Sequence, residues 1–359
     1  MPKISMDIKE LLQIVVSRNA SDLHLLVGQP PILRVDGELV ALPSKDRLTP
    51  ETSKQLIFSI LTDQQKEILE ANREVDFSYE YDDGARFRVN AYSQKNSWAA
   101  ALRYLPMVIR NVEQLSLPKI CHQFTTIRQG FVLVTGPTGH GKSTTLAAMI
   151  NEINLARSEH IVTIEDPVEY IYPTGKSVIS QREMHYDTHS WDVALRSVLR
   201  EDPDVVLIGE MRDYETISSA ITIAETGHLV FATLHTNDAA QTVDRIVDVF
   251  PENQQAQVRL QLSNVLEGVI SQRLVPRLKG GRIPAAEILL GTAAVKNAIR
   301  EGKSHQIPNI IQTSGGLGMV SLERSLADWV HKGEISLETA TDYSLRPEEI
   351  TRLVRSAHG

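Results

Sequence analysis

With 359 residues the chain exceeds the usual size of a single core, so two domains are the default expectation. Its 42% apolar and 23% charged residues are those of a globular protein, and no run approaches the roughly 18 consecutive apolar residues of a membrane-spanning helix. A net charge of −8 argues against a broad nucleic-acid surface, and a lone cysteine, Cys121, excludes an internal disulfide and a cysteine-rich zinc site.

Residues Met1 to Asp7 lack a hydrophobic signal core, which predicts a protein retained in the cytoplasm. Ile8, Leu11, Leu12 and Val15 then recur at helical spacing, with Ser5 and Asp7 as capping candidates. Leu23 to Val27 and Ile32 to Val35 are strand-like, and Asp36-Gly37 supplies a tight turn before Glu38-Leu39-Val40. Thr49 before Pro50 has the pattern of an N-cap with proline at the first helical position, and the helix it opens is expected to reach about Asn72. Val75, Phe77, Tyr79 and Tyr81 alternate with polar residues, Asp82-Asp83-Gly84 turns the chain, and Arg86 to Tyr92 returns. Residues 1–108 therefore read as a small α+β domain. In Arg86-Phe87-Arg88-Val89-Asn90 the two-residue period puts Phe87 and Val89 on the core face and Arg86, Arg88 and Asn90 on the other, with Arg103 on an adjacent strand.

Residues 106–119 contain Pro106 and Pro118 and little periodicity; they read as a linker, bounded at 109–119 between the first domain and a second at 120–359. In that domain apolar strand-like runs recur at Val132, Ile161 to Ile164, Val205 to Ile208 and Leu229 to Thr233, separated by helical stretches. This alternation predicts an α/β fold with a parallel sheet and crossover helices. From about Asn253 the pattern is expected to become mostly helical.

Most of the chemistry is concentrated in Gly136-Pro137-Thr138-Gly139-His140-Gly141-Lys142-Ser143, a complete GxxxxGK[ST] phosphate loop. It follows the short apolar run Phe131-Val132-Leu133-Val134 and precedes the helix-forming Thr144-Thr145-Leu146-Ala147, the strand–loop–helix context the motif requires. Glycines admit the backbone amides to the phosphates, Lys142 reaches the β- and γ-phosphates, and the Ser143 hydroxyl suits Mg²⁺, so ATP and Mg²⁺ are the expected ligands. The strand Asp204-Val205-Val206-Leu207-Ile208-Gly209-Glu210 offers Glu210 as the carboxylate that activates water, with glycine where many nucleotidases place a metal-binding aspartate. Glu165-Asp166-Pro167-Val168-Glu169-Tyr170 ends another strand, and Glu165 and Glu169 are its candidates for positioning Mg²⁺ and water. His228 and His235 bracket the buried run Leu229 to Leu234 and read as nucleotide-state sensors.

In this order the segments resemble the secretion-ATPase superfamily: Walker A at 136–144, Asp box at 165–170, Walker B at 204–210 and His box at 224–237. Within it the chain is most similar to PilT-type retraction ATPases of type IV pili, a likeness extending to Ala20-Ser21-Asp22-Leu23-His24-Leu25, to Arg86 to Asn90 and to Asn297 to Lys303. The resemblance implies a RecA-like ATPase domain, a PAS-like amino-terminal domain and a homohexamer binding ATP between subunits, with Arg86, Arg88 and Arg103 as candidates to neutralise the transferring phosphoryl group. It also implies an inner-membrane pilus platform protein as partner, no required contact with pilin, no nucleic acid, and a location at the inner face of the cytoplasmic membrane. Ile299 and Arg300 would couple turnover to movement; here the segment reads Ala294-Val295-Lys296-Asn297-Ala298-Ile299-Arg300-Glu301, where the family usually has Ala-Ile-Arg-Asn-Leu-Ile-Arg-Glu. Extension and type II secretion ATPases share the core motifs but usually carry a four-cysteine zinc insert, which one cysteine cannot supply. A DNA-translocating ATPase and a scaffold that binds ATP without hydrolysing it are the readings from other classes.

Overall fold

The computed structural model describes residues 6–35, 37–43, 45–81, 85–105 and 108–356. The chain forms two compact units, one of residues 1–108 with 169–171 and the other of residues 109–168 and 172–359.

In the first unit α1 (Ile8–Ser17) is capped by Asp7, whose side chain accepts from Lys9 N, and it buries Ile8, Leu11, Leu12 and Val15 as their spacing requires. The alternative cap, Ser5, lies outside the described residues, as do Asp36 and the turn 82–84. Next come β1 (Asp22–Leu25), β2 (Ile32–Val35), β3 (Glu38–Ala41), α2 (Pro50–Phe58), α3 (Asp63–Asn72), β4 (Glu74–Tyr81), β5 (Ala85–Gln94) and β6 (Ser97–Leu105). The single helix expected from Thr49 to Asn72 is instead two. A second capping box at Thr62, reciprocated by Gln65, restarts the helix after a break at residues 59–62. Among the described residues the strands form one antiparallel sheet in the order β3-β2-β1-β6-β5-β4. Phe87, Val89 and Ala91 are buried while Arg86, Arg88 and Asn90 are half-buried, as the period of two dictates.

The second unit continues with α4 (Ile120–Thr126), β7 (Gly130–Thr135), α5 (Lys142–Ala156), β8 (His160–Glu165), β9 (Val178–Glu183), α6 (Trp191–Val198), β10 (Val205–Ile208), α7 (Tyr214–Glu225), β11 (Leu229–Leu234), α8 (Ala239–Asp248) and α9 (Glu252–Val265). Two long strands follow, β12 (Leu266–Pro276) and β13 (Arg282–Leu290), then α10 (Ala293–Arg300), α11 (Ile307–Thr313), α12 (Leu322–His331), α13 (Leu337–Tyr343) and α14 (Pro347–Ser356). The mostly helical stretch expected from Asn253 is therefore corrected. Val269, Ile270 and Val275 bury a hydrogen-bonded ladder that runs antiparallel to β13.

The sheet order among the described residues is β13-β12-β7-β11-β10-β8-β9, parallel throughout except for β13. Both faces are covered, and alternate residues of one strand enter different cores: Phe131 and Leu133 on one side, Val132 and Val134 on the other. Cys121 is wholly buried in the second of these cores, and burial pushes its thiol up to about 12, so it packs as a small apolar residue. The carboxyl ends of β7, β11, β10 and β8 lie side by side, which brings together the residues that follow each of them.

Candidate active site

The phosphate loop leaves β7 at Gly136, whose φ is +135°, and passes Gly139 and Gly141 at +79° and +82° before α5 begins at Lys142. Of the three loop glycines, Gly136 is the one where the fold leaves no room for a side chain: a Cβ would lie 2.2 Å from the backbone oxygen of Gln272 in β12. No side chain caps α5, so its first backbone amides face the loop and offer an anion site. Lys142 is buried, and its Nζ donates to Gly136 O at 2.9 Å and Pro137 O at 3.1 Å.

A chain of polar contacts crosses from this loop to the end of β10. Lys142 Nζ lies 3.3 Å from His235 Nδ1, and His235 Nε2 lies 3.0 Å from Glu210 Oε1. An ammonium can only donate, so Nδ1 accepts and the proton on Nε2 points at the carboxylate. The other carboxylate oxygen, Oε2, accepts from Arg212 at 2.7 Å. Partial burial would raise the pKa of Glu210, but the Arg212 hydrogen bond and charge, with His235 and Lys142, outweigh it and hold the carboxyl below its ordinary range. Glu210 is thus ionised at neutral pH and held from two sides.

Glu165 ends β8 next to Gly209. A Cβ on Gly209 would stand 3.1 Å from Glu165 Cα and 3.2 Å from Ile164 O, so a side chain there would press on the end of β8. Glu165 is buried and accepts from Thr163 Oγ1 at 2.7 Å and Gln181 Nε2 at 3.4 Å. Thr233 of β11 secures the same strand end, donating to Gly209 O and accepting from Met211 N through its carbonyl. Ser143 and Thr144 occupy the first turn of α5, half-buried.

Other expected residues are placed elsewhere. His228 precedes β11, with Nδ1 at 3.0 Å from both Thr226 Oγ1 and Ile223 O. Six strand residues, roughly 20 Å, separate it from His235, and of the two it is His235 that reaches the loop. Glu169 groups with the first unit. In that unit Arg88 and Arg103 are register partners, and Arg103 Nε donates to the buried Asp22 at 3.0 Å, so this guanidinium also ties β6 to β1. Ile299 is 1% exposed in the core of the second unit, whereas Arg300 on the same helix is exposed.

Three contributors were not singled out from sequence. Arg212 follows Glu210 by two residues, and that proximity was its available signal. Gln272 accepts from Thr145 Oγ1 at 2.7 Å and donates to His140 O at 2.8 Å, a contact no local pattern could reveal. Glu287 of β13 is 4% exposed and accepts from Ala239 N at 2.8 Å, which holds the loop after His235. Burial pushes the Glu287 carboxyl up to about 7; the Ala239 hydrogen bond opposes this, and Asp238 and Glu323 add to it. A carboxyl raised in the folded state contributes stability that is complete below the ordinary value of 4.5 and lost as pH rises through about 7. Glu287→Gln keeps the acceptor without the charge. It is expected to flatten the thermal-stability profile between those values and to gain on the order of 2 kcal/mol at pH 8. Parallel melting profiles for wild type and variant would refute this.

The family described as Type II/IV secretion system protein matches residues 2–315. The type IV pilus retraction ATPase PilT of Pseudomonas aeruginosa is 49% identical over 346 residues, covering 96% of this chain and 99% of its own. A twitching motility protein of Neisseria gonorrhoeae is 49% identical over 313 residues, 86% of this chain and 83% of its own. The crystal structure of the pilus retraction motor PilT with bound ADP superposes with a TM-score of 0.89 at 46% identity, covering 97% of this chain and 99% of that one.

Proposed function

The chain belongs to the Type II/IV secretion system protein family, and from that membership we propose that it is an ATPase motor that retracts type IV pili and so drives twitching motility. The observation that carries the chemistry is the contact chain Lys142–His235–Glu210, which links the expected γ-phosphate position to a carboxylate held ready for water. ATP lies with its phosphates against the amides of the loop and of α5, and Lys142 exchanges its carbonyl partners for the β- and γ-phosphates. The hard oxygen donors here suit Mg²⁺, which Ser143 would hold and which supplies positive charge to the phosphates. As water attacks the γ-phosphorus, Glu210 accepts its proton, and the buried Glu165 supports the neighbouring strand end. His235, bonded to both Lys142 and Glu210, responds to whether the γ-phosphate is present.

The motor works as a homohexamer with a PAS-like amino-terminal domain and a RecA-like ATPase domain. Arg86, Arg88 and Arg103 of one copy supply positive charge to the nucleotide of its neighbour. It acts in the cytoplasm, at the inner face of the membrane, against a platform protein, without nucleic acid or direct pilin contact. No helix among the described residues is long and apolar enough to cross a membrane. Deletion of the gene is expected to leave cells covered with pili that do not retract; normal retraction would overturn the proposal.

Coupling is assigned to the exposed face of α10. Arg300→Ala is expected to hydrolyse ATP within about twofold of wild type, as for most surface changes, and to form rings, yet fail to restore retraction to deleted cells. Ile299→Ala is the less informative variant, because a buried Ile→Ala change removes core packing worth about 2–5 kcal/mol. Restored twitching with Arg300→Ala would remove Arg300 from the coupling path, and equal loss of hydrolysis and movement would make it a support of the domain.

A further inference from the structure

The β12–β13 hairpin grips the phosphate loop through contacts that the nucleotide chemistry above does not use. Leu274 N donates to the Nδ1 of His140 at 3.0 Å, Gln272 Nε2 donates to the carbonyl of the same residue at 2.8 Å, and Gln272 Oε1 accepts from Thr145 in α5. Arg282 of β13 adds a longer contact to Gly139 O at 3.3 Å. A backbone amide can only donate, so Nδ1 of His140 bears no proton and the neutral ring carries its hydrogen on Nε2. The residue at the apex of the loop is therefore bound to the hairpin from both its side chain and its backbone.

We propose that His140 is a positioning residue for the nucleotide phosphates: with Gln272 it clasps the loop to the hairpin in binding geometry, and the clasp opens when the imidazole takes a proton on Nδ1. This deepens the ATPase reading and rests on it for the identity of the ligand. Protonation turns Nδ1 from acceptor to donor, so two N–H groups then face each other at Leu274. The groups facing the ring are all cationic: Lys142 from α5, Arg273 from β12 and Arg282 from β13. Burial chiefly, and these charges after it, hold the imidazole below its ordinary value, which keeps the clasp closed at neutral pH and opens it in acid. Gln272 stays engaged at every pH.

The test uses the full chain with two substitutions: His140→Phe removes the acceptor, and His140→Asn replaces it with an oxygen that does not titrate. In steady-state hydrolysis between pH 5.5 and 8.5, wild type is expected to raise its KM for ATP on the acid side with a smaller change in kcat. His140→Phe should show a KM about 3- to 10-fold higher throughout, the effect of one lost hydrogen bond, and His140→Asn should retain a low KM without the acid rise. Amide hydrogen exchange of the protein alone provides a readout that needs no turnover. Protection at Leu274, compared between variants at each pH, should be lost in His140→Phe, lost in acid for wild type and kept in His140→Asn. Equal Leu274 protection in wild type and His140→Phe, or an acid rise in KM undiminished in His140→Asn, overturns the clasp. Absence of ATP hydrolysis by wild type would instead overturn the ATPase reading, leaving the exchange result to decide the clasp.

Discussion

Glu210→Gln is expected to bind ATP with near wild-type affinity and to hydrolyse it at least 10²-fold more slowly, with a loss of up to about 10⁴-fold, the range for removing a positioned base. The substitution keeps the shape of a side chain whose two oxygens are both engaged, by Arg212 at 2.7 Å and by His235 at 3.0 Å. It removes the negative charge that accepts the proton of water. It also carries a second signature. If the amide oxygen stays with Arg212, the amide nitrogen faces the Nε2 of His235, which must then give up its proton there and release Lys142 from Nδ1. The histidine resonances should therefore shift along with the loss of turnover. Phosphate release alongside binding of a fluorescent ATP analogue checks the result. Wild-type turnover would transfer the role to Glu165 or Glu169.

Gly136→Ala should abolish nucleotide binding and destabilise the second unit by about 4 kcal/mol or more, which lowers its melting temperature by roughly 8–16 °C. Two penalties coincide there: a φ of +135°, which alanine adopts only under strain, and a methyl group 2.2 Å from the carbonyl oxygen of Gln272. That oxygen belongs to the backbone of a central strand and cannot swing aside. Gly139→Ala is the control in the same loop, with φ of +79° and nothing within 4 Å of the added carbon, and its cost should be about 1–2 kcal/mol. Equal melting temperatures and ATP affinities for the two variants would show that the approach of β12 does not constrain the loop.

What the sequence made legible was what local spacing encodes. The phosphate loop, the strand before Glu210 and the alternation in Arg86 to Asn90 each depend on neighbours within a few residues, and each appears where expected. The second capping box at Thr62-x-x-Gln65 was equally local but was overridden by a longer helical pattern. Other features depend on pairing across long separations. Nothing near Gln272 announces that it will meet His140 and Thr145, more than a hundred residues away in sequence, and the tight approach of Gly209 to Glu165 shows only when the two strands are laid side by side. The strand Leu266–Pro276 mixes apolar residues with Glu267, Gln272 and Arg273, and so imitates the polarity of an amphipathic helix until its partner strand is in place. His228 shows the converse. Placement around one strand brackets it with His235 in the sequence, whereas a strand's two ends are far apart in space by construction.

The hairpin has a mechanical consequence. Nine consecutive cross-strand pairs run from Gly268–Leu290 to Pro276–Arg282, so it is a stiff rod about 27 Å long rather than a tether. From its middle toward its turn it is fastened to the phosphate loop through Gln272 and Leu274. At its open end, β13 leads through Gly291 and Thr292 into α10, and Lys296 of that helix pairs with Glu267 at the base of β12, at 3.2 Å. A rod of this kind has no slack: displacement applied at one end reappears at the other within the compliance of a few hydrogen bonds, whereas a loop of equal length would dissipate it as conformational entropy.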